Sequence, residues 1–182
     1  MRSFIIILFL IFASFASKSD EITLGHYATN QFGQVLFVRH ALAPGYGDPA
    51  YFKFDDCETQ RNLNSEGQLQ AASLGKLLKK NRVSFLKVYS SQWCRCIDTA
   101  RLMNVGHVIP FSGLNSFYQG IVPKKETLFK LRYFLNTLKD VKKPILLVTH
   151  YVTIEAITGV SVASGGVVAY DVITGKSKRV LF

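Results

Sequence analysis

The 182-residue sequence predicts a single α/β domain built around a mostly parallel sheet. Three observations carry that expectation. Two short apolar runs, 35–38 (Val-Leu-Phe-Val) and 145–148 (Ile-Leu-Leu-Val), have the composition of strands buried on both faces. Segments of helical periodicity lie between the apolar runs. No shift in composition marks a second domain.

The elements follow in order. The run 35–38 is the first strand, and it ends abruptly in Arg39-His40. Residues 43–62 are rich in Gly, Pro and Asp and form a long loop, of a length that in compact domains is usually functional or disordered. Ser65-Glu66-Gly67-Gln68 has capping-box form with Ser65 as N-cap. Ala71, Leu74 and Leu78 then mark one helix face, and Lys79-Lys80 close that helix favourably for its dipole. Residues 86–90 read as a second strand and 92–103 as a helix. A second loop covers about 104–124. Leu128, Leu131, Leu135 and Leu138 place an amphipathic helix over 125–139. Pro144 opens the strand 145–148, which runs into Thr149-His150; a short helix follows to Ile157, with Gly159 as its stop. Residues 167–172 and 177–182 are two strands across a turn at Thr174-Gly175.

The first residues read as an address rather than as fold. Arg2 precedes an apolar stretch from Phe4 to Phe15, followed by Ala16, Ser17 and Lys18. A charged start, a short apolar core and a small-residue exit make a secretory signal peptide, residues 1–16, with the small Ser14 and Ala16 third from last and last before the cut. The stretch is short for a bilayer span, so no stable membrane anchor is expected after cleavage, and the domain proper is 17–182. Export, to a periplasm or to the outside, implies an oxidising compartment. Of the three cysteines, Cys94 and Cys96 stand about 200° apart on a helix, so at most one of them faces Cys57. One bridge from Cys57 to either partner, or three buried thiols, satisfies the count.

Composition excludes several classes. With 48% hydrophobic, 13% aromatic and 19% charged residues the chain is not intrinsically disordered. No apolar tract is long enough for a multi-span membrane protein, and no repeat suggests a solenoid. The formal charge of +10 falls to +9 once Arg2 is removed, which suits an anionic ligand. The basic residues are scattered and not interleaved with aromatic residues, so nucleic acid is not the expected partner. No His-x-His or CxxC pattern marks a metal site.

The chemistry concentrates at strand ends. In a parallel sheet, ligands bind beyond the carboxyl ends of the strands. His40 and His150 each follow a buried strand, and Arg95 lies in the first turns of the helix after Tyr89-Ser90-Ser91. Two histidines with Arg39 and Arg95 therefore surround a space of anion size. Arg61, just before a helix, either contacts a substrate phosphate or pairs with Asp55, Asp56 and Glu58; Asp48 and Tyr46 line the entrance. His26 and His107 lack strand-end placement and read as surface residues.

Arg39-His40-Ala41, the run 91–100 (Ser-Gln-Trp-Cys-Arg-Cys-Ile-Asp-Thr-Ala), Val148-Thr149-His150 and the run 61–67 (Arg-Asn-Leu-Asn-Ser-Glu-Gly) together resemble the histidine phosphatase (phosphoglycerate-mutase-like) superfamily. The likeness extends over about residues 33–173, and the short exported form resembles the small periplasmic branch of that superfamily. The resemblance implies a three-layer α/β/α sandwich and a metal-independent, cofactor-free phosphatase acting on a small phosphomonoester or phosphoramidate. It implies that His40 is the nucleophile and carries a transient phosphoryl group. Arg39 and Arg95 would grip phosphoryl oxygens, and His150 would stabilise developing charge. Many members carry a glutamate in a Leu-Asn-Glu context as proton donor; here the stretch is Leu114-Asn115-Ser116, and a serine is no general acid near neutral pH. Ser116 therefore becomes a substrate-binding position. Either another acid serves (Glu58, Asp56, Asp48 or Glu126), or the leaving group needs none, or the domain is a degenerate module that binds phosphorylated sugars or lipopolysaccharide phosphates without turnover.

Overall fold

The computed structural model describes residues 20–182. The proposed signal peptide at 1–16 lies outside the described residues. Among those described, seven strands form one sheet in the order β1-β7-β6-β2-β5-β3-β4: β1 (Asp20–Thr23), β2 (Val35–Arg39), β3 (Lys87–Ser90), β4 (Val108–Pro110), β5 (Ile145–Thr149), β6 (Val167–Tyr170) and β7 (Ser177–Leu181). The pairs β2–β5, β5–β3, β3–β4 and β1–β7 are parallel, whereas β6 is antiparallel to both β2 and β7. The sheet is thus mixed and mostly parallel, as the sequence predicts.

Strand alternation makes the three layers. Leu36, Val38, Leu146 and Val148 point to one face, where Leu74 and Leu78 of α2 (Ser65–Lys80), Ala100 and Met103 of α3 (Cys94–Met103) and the α3 N-cap Trp93 cover them. Val35, Phe37, Ile145 and Leu147 point to the other, under Leu131 and Leu135 of α4 (Lys124–Asn136) and Ile154 of α5 (Tyr151–Thr158). Both faces of β2 and β5 are buried, which is why these strands read as continuous apolar runs. Gly75 lets α2 approach α3: a Cβ there would collide with the Met103 carbonyl.

Several elements depart from the expectations. The N-cap of α2 is Asn64, whose Oδ1 accepts from the Gly67 N–H at 2.8 Å, so Ser65 is the first helical residue and the expected capping box with Gln68 does not form. Two elements at the beginning, β1 and α1 (Leu24–Asn30), carry too little apolar pattern to be seen; Thr23 caps α1 by accepting from His26 N. Within the second loop sits β4, three residues long and only partly buried, paired with β3. Gly159 ends α5 with φ 70°, a left-handed cap that suits glycine. The cysteine question resolves as Cys57–Cys94, leaving Cys96 free and buried.

Candidate active site

Adjacent parallel strands bring the two histidines together. Arg39 is in register with Thr149 across β2 and β5, and the His40 N–H donates to the Thr149 carbonyl at 2.9 Å. The rings that follow meet edge to face with centroids 5.4 Å apart. Both residues are 2% exposed.

Hydrogen bonding sets the tautomers. His40 Nδ1 lies 2.8 Å from the Ala41 carbonyl, which can only accept, so Nδ1 carries the proton and Nε2 keeps its lone pair. His150 Nε2 is 2.9 Å from Ser91 Oγ, which donates onward to Asn115 Oδ1 at 3.2 Å. Asn115 Oδ1 also accepts from the Gln92 N–H, so Nε2 of His150 is the donor of this chain and Nδ1 is left toward Arg95, 3.5 Å away. Burial and then the Arg95 charge push the His40 imidazole down to about 3. The same causes, in the same order, hold His150 well below the ordinary histidine range. Both rings are neutral at physiological pH, and burial contributes more to this than the neighbouring cations.

Arg95 is placed by α3, whose first N–H, that of Cys94, is satisfied by Gln60 Oε1 at 2.9 Å. Its guanidinium is bound twice to Asp48, Nη1 to Oδ1 at 2.8 Å and Nη2 to Oδ2 at 3.1 Å. Asp48 also accepts from the Arg61 N–H and from Trp93 Nε1. Burial alone would raise the Asp48 carboxyl, but the hydrogen bonds and charge of Arg95 outweigh it and hold the group below the usual carboxylate range. Asp48 is therefore an ionised anchor for Arg95 rather than a group that binds phosphate itself. Arg61 does not pair with Asp55, Asp56 or Glu58: its guanidinium donates to the carbonyls of Gly47 and Ala43 and is turned to the histidines' side of the loop. Arg39 donates to the Val162 carbonyl at 2.8 Å and lies over the Tyr151 ring.

These groups enclose a cavity of about 270 Å³, lined by Arg39, His40, Asp48, Arg61, Arg95, Ser116 and His150 among others. Three guanidiniums against one carboxylate leave two positive charges, matching a phosphoryl dianion. Arg39 and Arg95 each keep a buried Nε without a partner among the described residues. Ser116 is 7% exposed and offers the cavity a hydroxyl where an acid was sought. Glu58, Asp56 and Glu126 do not line the cavity; Asp56 caps the turn at Glu58, and Glu126 is paired with Lys130. A larger cavity of about 600 Å³ beside Leu74, Val162 and Phe182 has Arg179 as its one charged side chain among the described lining residues, and none of those residues is a His, Cys, Asp or Glu. Its size does not make it the chemical centre. Among the described residues no group of three His, Cys, Asp or Glu is arranged to hold a metal.

Four contributors escaped the sequence argument. Trp93, Ser91 and Asn115 orient Asp48 and His150, and the Tyr118 ring stands at the cavity mouth. Trp93 and Ser91 lay inside the motif that carried the resemblance, and Asn115 beside Ser116, but their roles depend on contacts distant in the chain.

Residues 35–117 match the model of the histidine phosphatase superfamily (branch 1). No curated protein matches the chain. Among solved structures the fold is shared with the SixA protein of Agrobacterium tumefaciens, at 20% identity and TM-score 0.54 over 75% of this chain and 89% of that one. It is shared with a protein histidine phosphatase SixA in complex with tungstate, at 16% identity and TM-score 0.54, covering 80% and 92%. A mycobacterial glucosyl-3-phosphoglycerate phosphatase bound to VO3 gives 13% identity and TM-score 0.56 over 81% and 97%.

Proposed function

We propose that this chain is a phosphatase of the histidine phosphatase superfamily, the group whose model its residues 35–117 match, and that it works through a phosphohistidine on His40. The observation that carries the reading is the tautomer of His40. A ring whose Nδ1–H is held by the Ala41 carbonyl presents a lone pair on Nε2 into a cavity of net charge two. Nε2 attacks phosphorus, forming a P–N bond as the ester P–O bond breaks and its electron pair leaves with the oxygen. Water then attacks the phosphoryl group, the P–N bond breaks, and its electrons return to Nε2 with release of inorganic phosphate. Arg39 and Arg61 offer their remaining guanidinium N–H groups to the phosphoryl oxygens, and Arg95, whose fork is held by Asp48, adds its positive charge beside them, so the charge neutralisation comes from arginine. His150, its Nε2–H held by Ser91 and its Nδ1 turned to the Arg95 guanidinium 3.5 Å away, positions that cation against charge as it develops. Small phosphorylated molecules are the substrate class, in keeping with the glucosyl-3-phosphoglycerate phosphatase that shares the fold.

The protein is further read as exported, through residues 1–16. The Cys57–Cys94 disulfide supports an oxidising compartment. A second reading, a binding module without turnover, is favoured by one observation: Ser116 provides no acid. A panel of phosphoesters tested on wild type and His40→Ala separates the two. The first reading expects turnover that falls by about 10³-fold or more in the variant, and an acid-labile phosphoryl adduct in the wild type alone. Phosphate or vanadate binding with no turnover of any ester would leave the second.

A further inference from the structure

The cavity lacks a usable carboxylic acid and wears an aromatic collar. Among the described lining residues Asp48 is the only carboxylate, and both of its oxygens are engaged by Arg95, Trp93 and the Arg61 amide. At the mouth, the rings of Tyr46 and Tyr118 meet edge to face at 5.6 Å, and Tyr118 meets Tyr151 at 6.0 Å. All three line the same cavity as His40, and Tyr151 lies under the Arg39 guanidinium at 5.2 Å. Tyr46 is 89% exposed, an aromatic face held in water beside a phosphate-sized hole.

We propose that this site selects phosphate esters of aromatic hydroxyls, with the ring of the leaving group packed against Tyr46 and Tyr118. The inference rests on the phosphatase reading above and names its substrate class. When Nε2 of His40 displaces the ester oxygen and no acid delivers a proton, the oxygen departs as an anion and takes its proton from solvent afterwards. A phenol, with a pKa of about 10, leaves far more readily than an alcohol, whose acidity is close to that of water at about 15.7. The Tyr118 hydroxyl does not fill the gap: the neighbouring Tyr46, more than burial, pushes this phenol up to about 12, which weakens it as a donor. The collar and the missing acid thus point to the same leaving group. A sugar would also stack on tyrosine, but its oxygen would leave as an alkoxide. Aromatic packing of this kind contributes selectively, because edge-to-face and offset contacts add to simple area burial.

The test compares kcat/KM for phenyl phosphate, glycerol 2-phosphate, glucose 6-phosphate and acetyl phosphate. Acetyl phosphate has a good leaving group and no ring. Phenyl phosphate is expected to exceed both alkyl esters by about 10²- to 10⁴-fold, the usual worth of a general acid. In Tyr46→Ala/Tyr118→Ala the ratio of phenyl to acetyl phosphate is expected to fall about tenfold, the size of one lost aromatic contact. Alkyl esters turned over within tenfold of phenyl phosphate, or an unchanged ratio in the double variant, would overturn the substrate class while leaving the phosphatase standing. No turnover even of acetyl phosphate by the wild type would instead overturn the phosphatase reading, and this proposal with it.

Discussion

Asp48 and Arg95 form a two-pronged ion pair inside the protein, with side chains 3% and 4% exposed and the shorter contact at 2.8 Å. The pair joins the long loop after β2 to the first turn of α3 and fixes the plane of the guanidinium that faces His150. Removing one partner of such a pair leaves a buried, uncompensated charge, which typically costs about 3–5 kcal/mol. Asp48→Asn is therefore expected to lower Tm by about 10 °C, since a domain of this size loses about 2–4 °C per kcal/mol. Added inorganic phosphate should raise Tm more in the variant than in the wild type, because the freed cation then has an anion to meet. The sign in pH follows from the depressed Asp48 carboxyl: the pair stabilises fully above about 3.9, the unfolded value, and is lost as pH falls through the lower folded value. Thermal scans with and without phosphate read both effects, and a Tm unchanged within about 2 °C would show the pair to be dispensable.

The two neutral histidines act on stability at higher pH. His40 holds out to about 3 and His150 is also strongly depressed, whereas an unfolded histidine titrates near about 6.5. As pH falls below about 6.5 the unfolded chain takes up protons that the native state refuses, so stability declines with pH by up to about 1.4 kcal/mol per unit for each ring. His40→Asn removes one of the two. Its unfolding free energy between pH 6.5 and 4 should fall less steeply than that of the wild type by about 1.4 kcal/mol per unit. Urea titrations across this window measure the slopes, and parallel curves would contradict the burial of a neutral His40.

What the sequence made legible was whatever depends on short-range pattern. The runs before His40 and His150 announced doubly buried strands, and two parallel strands at adjacent positions then bring the histidines together. Gly159 and the face of Ala71, Leu74 and Leu78 were legible for the same reason. Contacts that join distant segments were not. The sequence separates Asp48 from Arg95 by 47 positions, and nothing local shows that the carboxylate anchors the cation rather than meeting substrate. Arg61 sits among acids in the chain yet is turned to backbone carbonyls by the fold. The helix geometry restricted Cys57 to one of two partners; choosing Cys94 required the path of the loop. At β4, two half-buried residues and an exposed proline gave periodicity nothing to register.

The Cys57–Cys94 bridge pins the same loop whose other end holds Asp48. It closes a segment with a sequence separation of 37, for which the chain-entropy account gives about 4 kcal/mol of stabilisation. Cys57→Ser/Cys94→Ser is expected to unfold at a Tm lower by about 10 °C and to raise KM for phosphoesters, because Arg95 immediately follows Cys94. Cys96 is buried against His150 and should resist thiol reagents in the native protein, so a native count of reactive thiols near zero is expected in the wild type. Labelling before and after denaturation with reductant should raise that count to three, matching Cys57, Cys94 and Cys96; one readily labelled thiol in the native protein would show that Cys96 is not enclosed.

Ser116 supplies the sharpest chemical test, because it stands in the cavity wall 7% exposed, between the Asn115 that orients the histidine network and the tyrosine at the mouth. A hydroxyl at this position cannot protonate a leaving oxygen at neutral pH, whereas a carboxylic acid can. Ser116→Glu introduces one without touching His40 or the arginines. The added carboxylate also meets the net positive cavity, so it should lower affinity for phosphate to some extent while it supplies a proton to the departing oxygen. The two effects separate by leaving group. Turnover of glycerol 2-phosphate relative to phenyl phosphate is expected to rise by about tenfold or more, since protonation matters for an alkoxide and little for a phenolate. The pH profile for the alkyl ester should acquire a descending alkaline limb set by the new acid, absent from the wild type. A variant in which both esters slow by the same factor would show that position 116 lies outside the path of the leaving group.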